Sequence, residues 1–72
     1  METITVSFVK DGDGYVSHCL DYDIVSQGDS LQEAKDNIVE AVTGFLEIAS
    51  PEEIQRRLES RGRVEQLRIG SA

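Results

Sequence analysis

The sequence predicts a small α+β domain of order β-β-β-α-α-β, with an antiparallel sheet packed by one long amphipathic helix. Three observations carry that expectation. Residues 3–10 alternate, with Ile4, Val6 and Phe8 on one side and Thr3, Thr5 and Ser7 on the other, the period-2 mark of a half-buried strand. Asp11-Gly12-Asp13-Gly14 then makes a turn, because Gly takes positive φ freely and Asp tolerates it, and Tyr15–Leu20 returns as the second strand of a hairpin. Finally, Leu31, Ala34, Ile38, Ala41, Val42, Phe45, Leu46 and Ile48 recur at helical spacing, with Glu33, Asp36, Asn37, Glu40 and Glu47 on other faces.

The remaining elements follow in order. Leu20-Asp21-Tyr22-Asp23 interrupts the apolar pattern, Ile24–Gln27 reads as a short third strand, and Gly28-Asp29 ends it. Ser30-Leu31-Gln32-Glu33 is a capping box: Ser30 is expected to accept from the Glu33 amide, and Glu33 to reach back to the Ser30 amide. The helix so started covers residues 30–49. Ser50-Pro51-Glu52-Glu53 repeats the start signal, with Pro at the first helical position where its missing N–H costs nothing. A short second helix turns Ile54 and Leu58 inward and runs to Gly62, with Arg56, Arg57 and Arg61 in its later turns, where cations suit the helix dipole. Val64–Ile69 is expected as a last strand, with Glu65, Leu67 and Ile69 on one face. It would return to the sheet edge or pair with another subunit, and Gly70-Ser71-Ala72 would fray. No repeat or linker divides residues 1–72, so one domain is expected.

At 72 residues the chain buries only about 60% of the surface its unfolded form exposes. Cys19 is the one cysteine and cannot bridge within the chain, and with His18 as the one histidine a four-ligand zinc site is excluded. Self-association is the remaining staple, so a dimer or larger homo-oligomer is expected. A lone thiol suits a reducing cytoplasm. No apolar run approaches the roughly 20 residues of a membrane span, and residues 1–5 lack the basic and apolar regions of a signal peptide. A cytoplasmic protein without a membrane partner is the expectation.

Seven basic residues stand against 14 acidic ones, for a net charge of −7. The division is uneven: residues 1–53 carry 12 acids and 2 lysines, residues 54–72 carry 2 acids and 5 arginines. An acidic body repels phosphate backbones and steers basic partners toward it. The arginines Arg56, Arg57, Arg61, Arg63 and Arg68 come without a helix-turn-helix, a zinc finger or a stacking set of aromatics, so direct DNA binding is not expected. Pairing with the acidic body is their simpler use.

No catalytic constellation emerges. Asp11-Gly12-Asp13-Gly14 opens like a calcium loop, but its sixth and twelfth positions are Val16 and Tyr22 where Gly and Glu are needed. His18 and Cys19 are neighbours on a strand and point to opposite faces, leaving Cys19 a small core or interface residue. Ser26, Ser30 and Ser50 have no nearby base. Gly12, Gly14 and Gly28 lack the spacing of a phosphate loop. A metal-dependent nuclease built from Asp11, Asp13, Asp21 and Asp23 is the one enzymatic alternative. No cofactor is expected.

The run from Asp13 to Ala34 resembles the core of the HicB-like antitoxins. A hairpin strand, Gly14-Tyr15-Val16-Ser17, leads to Ser26-Gln27-Gly28-Asp29-Ser30-Leu31-Gln32-Glu33-Ala34 at the head of a helix, and Asn37–Glu47 is similar to that family's helix as well. The resemblance covers residues 3–48. It implies a β-β-β-α-β fold related to a partial ribonuclease H fold without its catalytic acids. It also implies a role: binding and neutralising HicA, a small basic toxin with a double-stranded-RNA-binding-like fold that cleaves RNA. Family members often add a C-terminal ribbon-helix-helix or helix-turn-helix domain. The last twenty residues here cannot form one. The expected function is therefore a non-catalytic antitoxin-like protein, with an orphan oligomeric assembly module as the alternative. On charge and exposure, the expected partner contacts are the loop Asp21, Tyr22, Asp23 and the helix acids Glu33, Asp36 and Glu40.

Overall fold

A computed structural model describes residues 3–61 and 65–70. Three strands, β1 (Val6–Asp11), β2 (Gly14–Cys19) and β3 (Ile24–Gly28), are followed by two helices, α1 (Leu31–Ile48) and α2 (Pro51–Ser60). The sheet is antiparallel in the order β1-β2-β3, so the fold is α+β as the sequence predicts. Neither helix is long and apolar enough to cross a membrane.

The first hairpin is as tight as a hairpin can be. Asp11 pairs with Gly14, leaving Gly12 and Asp13 as a two-residue loop. Gly12 has φ +60° and Asp13 keeps negative φ, the pattern of a type II′ turn, whose twist matches that of the flanking strands. Only the glycine therefore uses the left-handed region here. At the opposite end of the sheet, Asp23 is the one described non-glycine residue with positive φ, at 55°. Aspartate is among the side chains that tolerate it.

Both helix starts behave as their sequences dictate, with one amendment. The Ser30 and Ser50 hydroxyls accept from the Glu33 and Glu53 amides at 3.1 Å each, and Pro51 opens α2. The Glu33 carboxylate, however, accepts from the Asp29 amide at 3.2 Å, one residue before the amide expected. The extended Ser30 backbone turns the preceding amide toward the helix, so the box closes around Asp29.

The helix lies against β2 and β3 through small residues. Ser17 and Ala34 are fully buried, and the Ser17 hydroxyl donates to the Ala34 carbonyl at 3.4 Å. Gly28 sits so close to α1 that a Cβ built on it would lie 2.4 Å from the Ala34 nitrogen. Behind this contact Cys19, Tyr22, Ile38 and Val42 form the core, with Ile4, Val6, Ile24, Phe45, Leu46, Ile54 and Leu58 packed around it. Ile54 and Leu58 face inward as predicted. Ile48 does not: it ends the helix exposed, because the 3.6-residue period sets it about 80° round the helix from Ile38.

Among the described residues the expected final strand is absent. Residues 65–70 pair with no strand and all six are exposed. Alternation alone does not make a strand: the backbone groups need a ladder partner, and residues 65–70 are paired with neither edge of the described sheet. Val64 and the expected helix stop at Gly62 lie outside the described residues.

Candidate protein-binding surface

The strand topology sorts the acids into two groups at opposite ends of the sheet. The β1–β2 turn brings Asp11 and Asp13 to one end, and the β2–β3 connection brings Asp21 and Asp23 to the other. Six residues of β2 separate them, about 17 Å of extended chain. The four aspartates of the nuclease alternative are thus parted by the length of the sheet. Among the described residues, no three His, Cys, Asp or Glu side chains form a set that could hold a metal ion.

The 21–23 end is occupied by the chain itself. Asp21 accepts from the Thr5 amide at 2.7 Å through one carboxylate oxygen and from Arg61 at 3.3 Å through the other. Asp23 Oδ1 lies 2.7 Å from His18 Nε2. Tyr22 is only 5% exposed, with its ring 5.8 Å from that of Phe45. Of the expected partner-binding loop Asp21, Tyr22 and Asp23, the structure buries the Tyr22 ring and ties both flanking carboxylates to groups of the same chain, while Asp23 stays exposed.

Arg57 organises this end. Its guanidinium donates to the Tyr22 carbonyl at 2.8 Å, the Asp23 carbonyl at 3.4 Å and Glu53 at 3.3 Å, and lies 4.9 Å from the Phe45 ring centre. Arg56 pairs with the other Glu53 oxygen. Hydrogen bonds from Arg56 first, and from Arg57 second, hold the Glu53 carboxyl below its ordinary value of 4.5. A depressed carboxyl stabilises the fold at pH above 4.5, and that contribution disappears as pH falls through the folded value. Arg57→Ala is expected to cost about 1.5–3 kcal/mol, because it strips a charged donor from two backbone carbonyls and one carboxylate. In thermal melts from pH 3 to 7, the wild type should lose stability at the acid end. The variant should melt roughly 10 °C lower at pH 7, with a shallower acid limb. Equal melting curves would show that the clamp contributes nothing.

The hairpin end is different. Asp11, Asp13, Asp29 and Glu33 rim an open cleft of about 470 Å³ walled by Tyr15, Gly28 and Asn37. Sheet register explains the gathering: Asp11 pairs with Gly14 and Tyr15 with Gly28, so both turns and the head of α1 meet at one edge. From Glu33 a row of exposed acids continues down one face of α1 through Asp36, Glu40 and Glu47. Fourteen residues at 1.5 Å each make this row about 21 Å long. Among the described residues none of these seven acids has a salt bridge.

Comparison with protein families, curated proteins and solved structures finds no match to this chain. Function must therefore be read from the surface itself. Of the six contacts expected from sequence, Glu33, Asp36 and Glu40 lie on the open acidic row, and Asp21, Tyr22 and Asp23 do not. The acids of this surface that the expected contacts did not include are Asp11, Asp13, Asp29 and Glu47. The signal for Glu47 was present, since period 3.6 puts it on the Glu40 face, whereas the other three are gathered by the sheet register.

The acidic row works against the helix that carries it. Asp36 and Glu40 stand at i and i+4, where like charges repel, and Glu47 sits at the negative end of the helix dipole with no basic residue in the last turn. Each placement costs a few tenths of a kcal/mol. Gln32 Nε2 donates to Asp36 at 3.0 Å and offsets part of the first, and no basic residue in the last turn offsets the second.

Proposed function

We propose that this chain is a non-catalytic protein-binding module of the antitoxin type, which grips and neutralises a small basic RNA-cleaving toxin of the HicA type. The observation that carries this reading is the unneutralised acidic row from the hairpin cleft down α1. A protein that cuts RNA must present cations to phosphates, and a row of fixed carboxylates competes for those same cations. The division of charge supports the reading: where the chain's arginines reach, acids are paired, and the row they do not reach is the surface left for a partner. The resemblance of residues 3–48 to HicB-like antitoxins agrees with it.

The test is a titration against a purified HicA-type toxin. The chain is expected to suppress RNA cleavage, with an affinity that weakens as salt rises from 50 to about 500 mM, because exposed charges are screened within about 10 Å at 0.1 M. Tight binding indifferent to salt would defeat the electrostatic reading. RNA cleavage by the chain alone, dependent on magnesium and abolished by Asp21→Asn, would replace it with the nuclease reading.

A further inference from the structure

The two edges of the sheet are not equivalent. The Leu20 amide donates to the Thr5 carbonyl at 2.9 Å, which places Thr5 among the residues bonded to β2. By the alternation of an antiparallel ladder, Val6, Phe8 and Lys10 then turn their N–H and C=O groups away from β2, toward the free edge of β1. On the β3 side two outward carbonyls are taken: Asn37 Nδ2 donates to the Gln27 carbonyl at 2.7 Å, and Arg57 donates at 3.4 Å to that of Asp23, just before the strand. No hydrogen bond among the described residues closes β1 in that way. The β3 edge is partly capped by side chains, and the β1 edge carries no such cap among the described residues. An open edge is a template for strand addition.

The chain carries a segment fitted to such an edge. Residues 65–70 alternate, and Leu67 and Ile69 are 82% and 88% exposed. A protein this small seldom leaves two aliphatic side chains so bare on one side of one segment. We infer that residues 65–70 of one copy add to the β1 edge of a second copy, antiparallel, so that the chain assembles by exchanging its C-terminal segments. The register follows from side-chain matching. Placing Leu67 opposite Phe8 puts Ile69 opposite Val6, and both then extend the apolar, helix-facing side of the sheet beyond half-buried Val6 and Phe8. The same register sets Glu65 opposite Lys10 and Arg68 opposite Ser7. A parallel arrangement would set Ile69 opposite Lys10 and Glu65 opposite Val6, which pairs unlike with unlike. Charge agrees at the single pair this register forms between ionised side chains, since Glu65 meets Lys10. The inference is independent of the toxin reading: it concerns β1, away from the acidic row on α1.

Light scattering on the full chain, with circular dichroism, tests it first. The wild type is expected to be a dimer or a closed larger ring. Leu67→Ser with Ile69→Ser should weaken association by about 100-fold or more while leaving the circular dichroism unchanged, because both side chains are bare within one copy. The second test reads the register. Ser7 and residue 68 would form a non-hydrogen-bonded pair with Cα atoms about 4.5 Å apart, within disulfide range. Chains carrying Ser7→Cys, mixed with chains carrying Arg68→Cys and mildly oxidised, should give a covalent heterodimer, and Asp11→Cys with Arg68→Cys should not. Cys19 is buried and does not compete. A monomeric wild type, an assembly indifferent to the Leu67 and Ile69 changes, or a Ser7–Arg68 cross-link confined within single double-variant chains would each overturn the inference.

Discussion

Changing Glu40 and Glu47 together to lysine is expected to stabilise the isolated chain and to cut its affinity for a basic toxin by about 100-fold or more, or about 2.7 kcal/mol. The two effects come from the same atoms. In the free chain, a lysine at position 40 would face Asp36 at i−4 with the acid on the N-terminal side, the favourable order, replacing a repulsive pair. A lysine at position 47 would place a cation at the carbonyl end of α1, where the present carboxylate opposes the dipole. Together these changes are worth about 0.5–1.5 kcal/mol of folding stability. In a complex, each reversal removes an attraction and sets a cation against the partner's cations, and like-charge juxtaposition at an interface costs several kcal/mol. Denaturant titration and toxin binding, measured on one preparation, check both arms. Lower stability would mean that the acids are structural. Unchanged binding would move the contact surface away from α1.

Opposite signs in folding and binding are what a functional surface predicts. Acids placed only for solubility would be expected on either side of the helix and nearer its N-terminus. A row that runs to the wrong end of the dipole, past an i,i+4 repulsion, marks a place where sequence departs from local optimum for a reason outside the chain.

Local signals account for most of the fold. The II′ turn at Gly12, both serine caps, the Pro51 start and the inward Ile54 and Leu58 all depend on residues within four of one another, and all are legible in the sequence. Two misreadings are local, the Glu33 carboxylate closing on the Asp29 amide and Ile48 ending α1 exposed, and the larger ones are non-local. Tyr22 sits between two aspartates and reads as a loop residue; its burial depends on Phe45 and α2 arriving from farther along the chain. Asp21 reads as solvated until Arg61 and the Thr5 amide are brought to it, whereas Asp23 stays exposed beside His18. The last strand fails for the same reason in reverse, since Leu67 and Ile69 have the alternation of a strand but no ladder partner in their own chain. The acidic row was half legible: helical period placed Glu33, Asp36 and Glu40, and only the sheet register added Asp11, Asp13 and Asp29.

A graded series of glycine changes should show how the close sheet–helix contact sustains the fold. Gly44→Ala, exposed in mid-helix with nothing within 4 Å of the new Cβ, is expected to stabilise by about 0.5–1 kcal/mol through helix propensity. Gly12→Ala also meets open space, but at φ +60° the Cβ crowds its own backbone, so about 1–2 kcal/mol should be lost. Gly28→Ala is of another order. Its Cβ would lie 2.4 Å from the Ala34 nitrogen, 2.7 Å from the Glu33 carbonyl carbon and 2.9 Å from the Ala34 Cα. All three are backbone atoms, so no side chain can swing aside. Relief requires moving the first turn of α1, which breaks the Ser17 to Ala34 hydrogen bond and lifts Ile38 off the sheet. A loss of about 3 kcal/mol or more is expected, at the upper end of overpacking costs. A domain of this size has about 4–11 kcal/mol in total, so much of its margin would go. Equilibrium unfolding of the three variants reads the order directly. If Gly28→Ala lost no more than Gly12→Ala, α1 would not be seated on β3 as closely as this geometry requires, and the cleft that begins the acidic row would lose its wall.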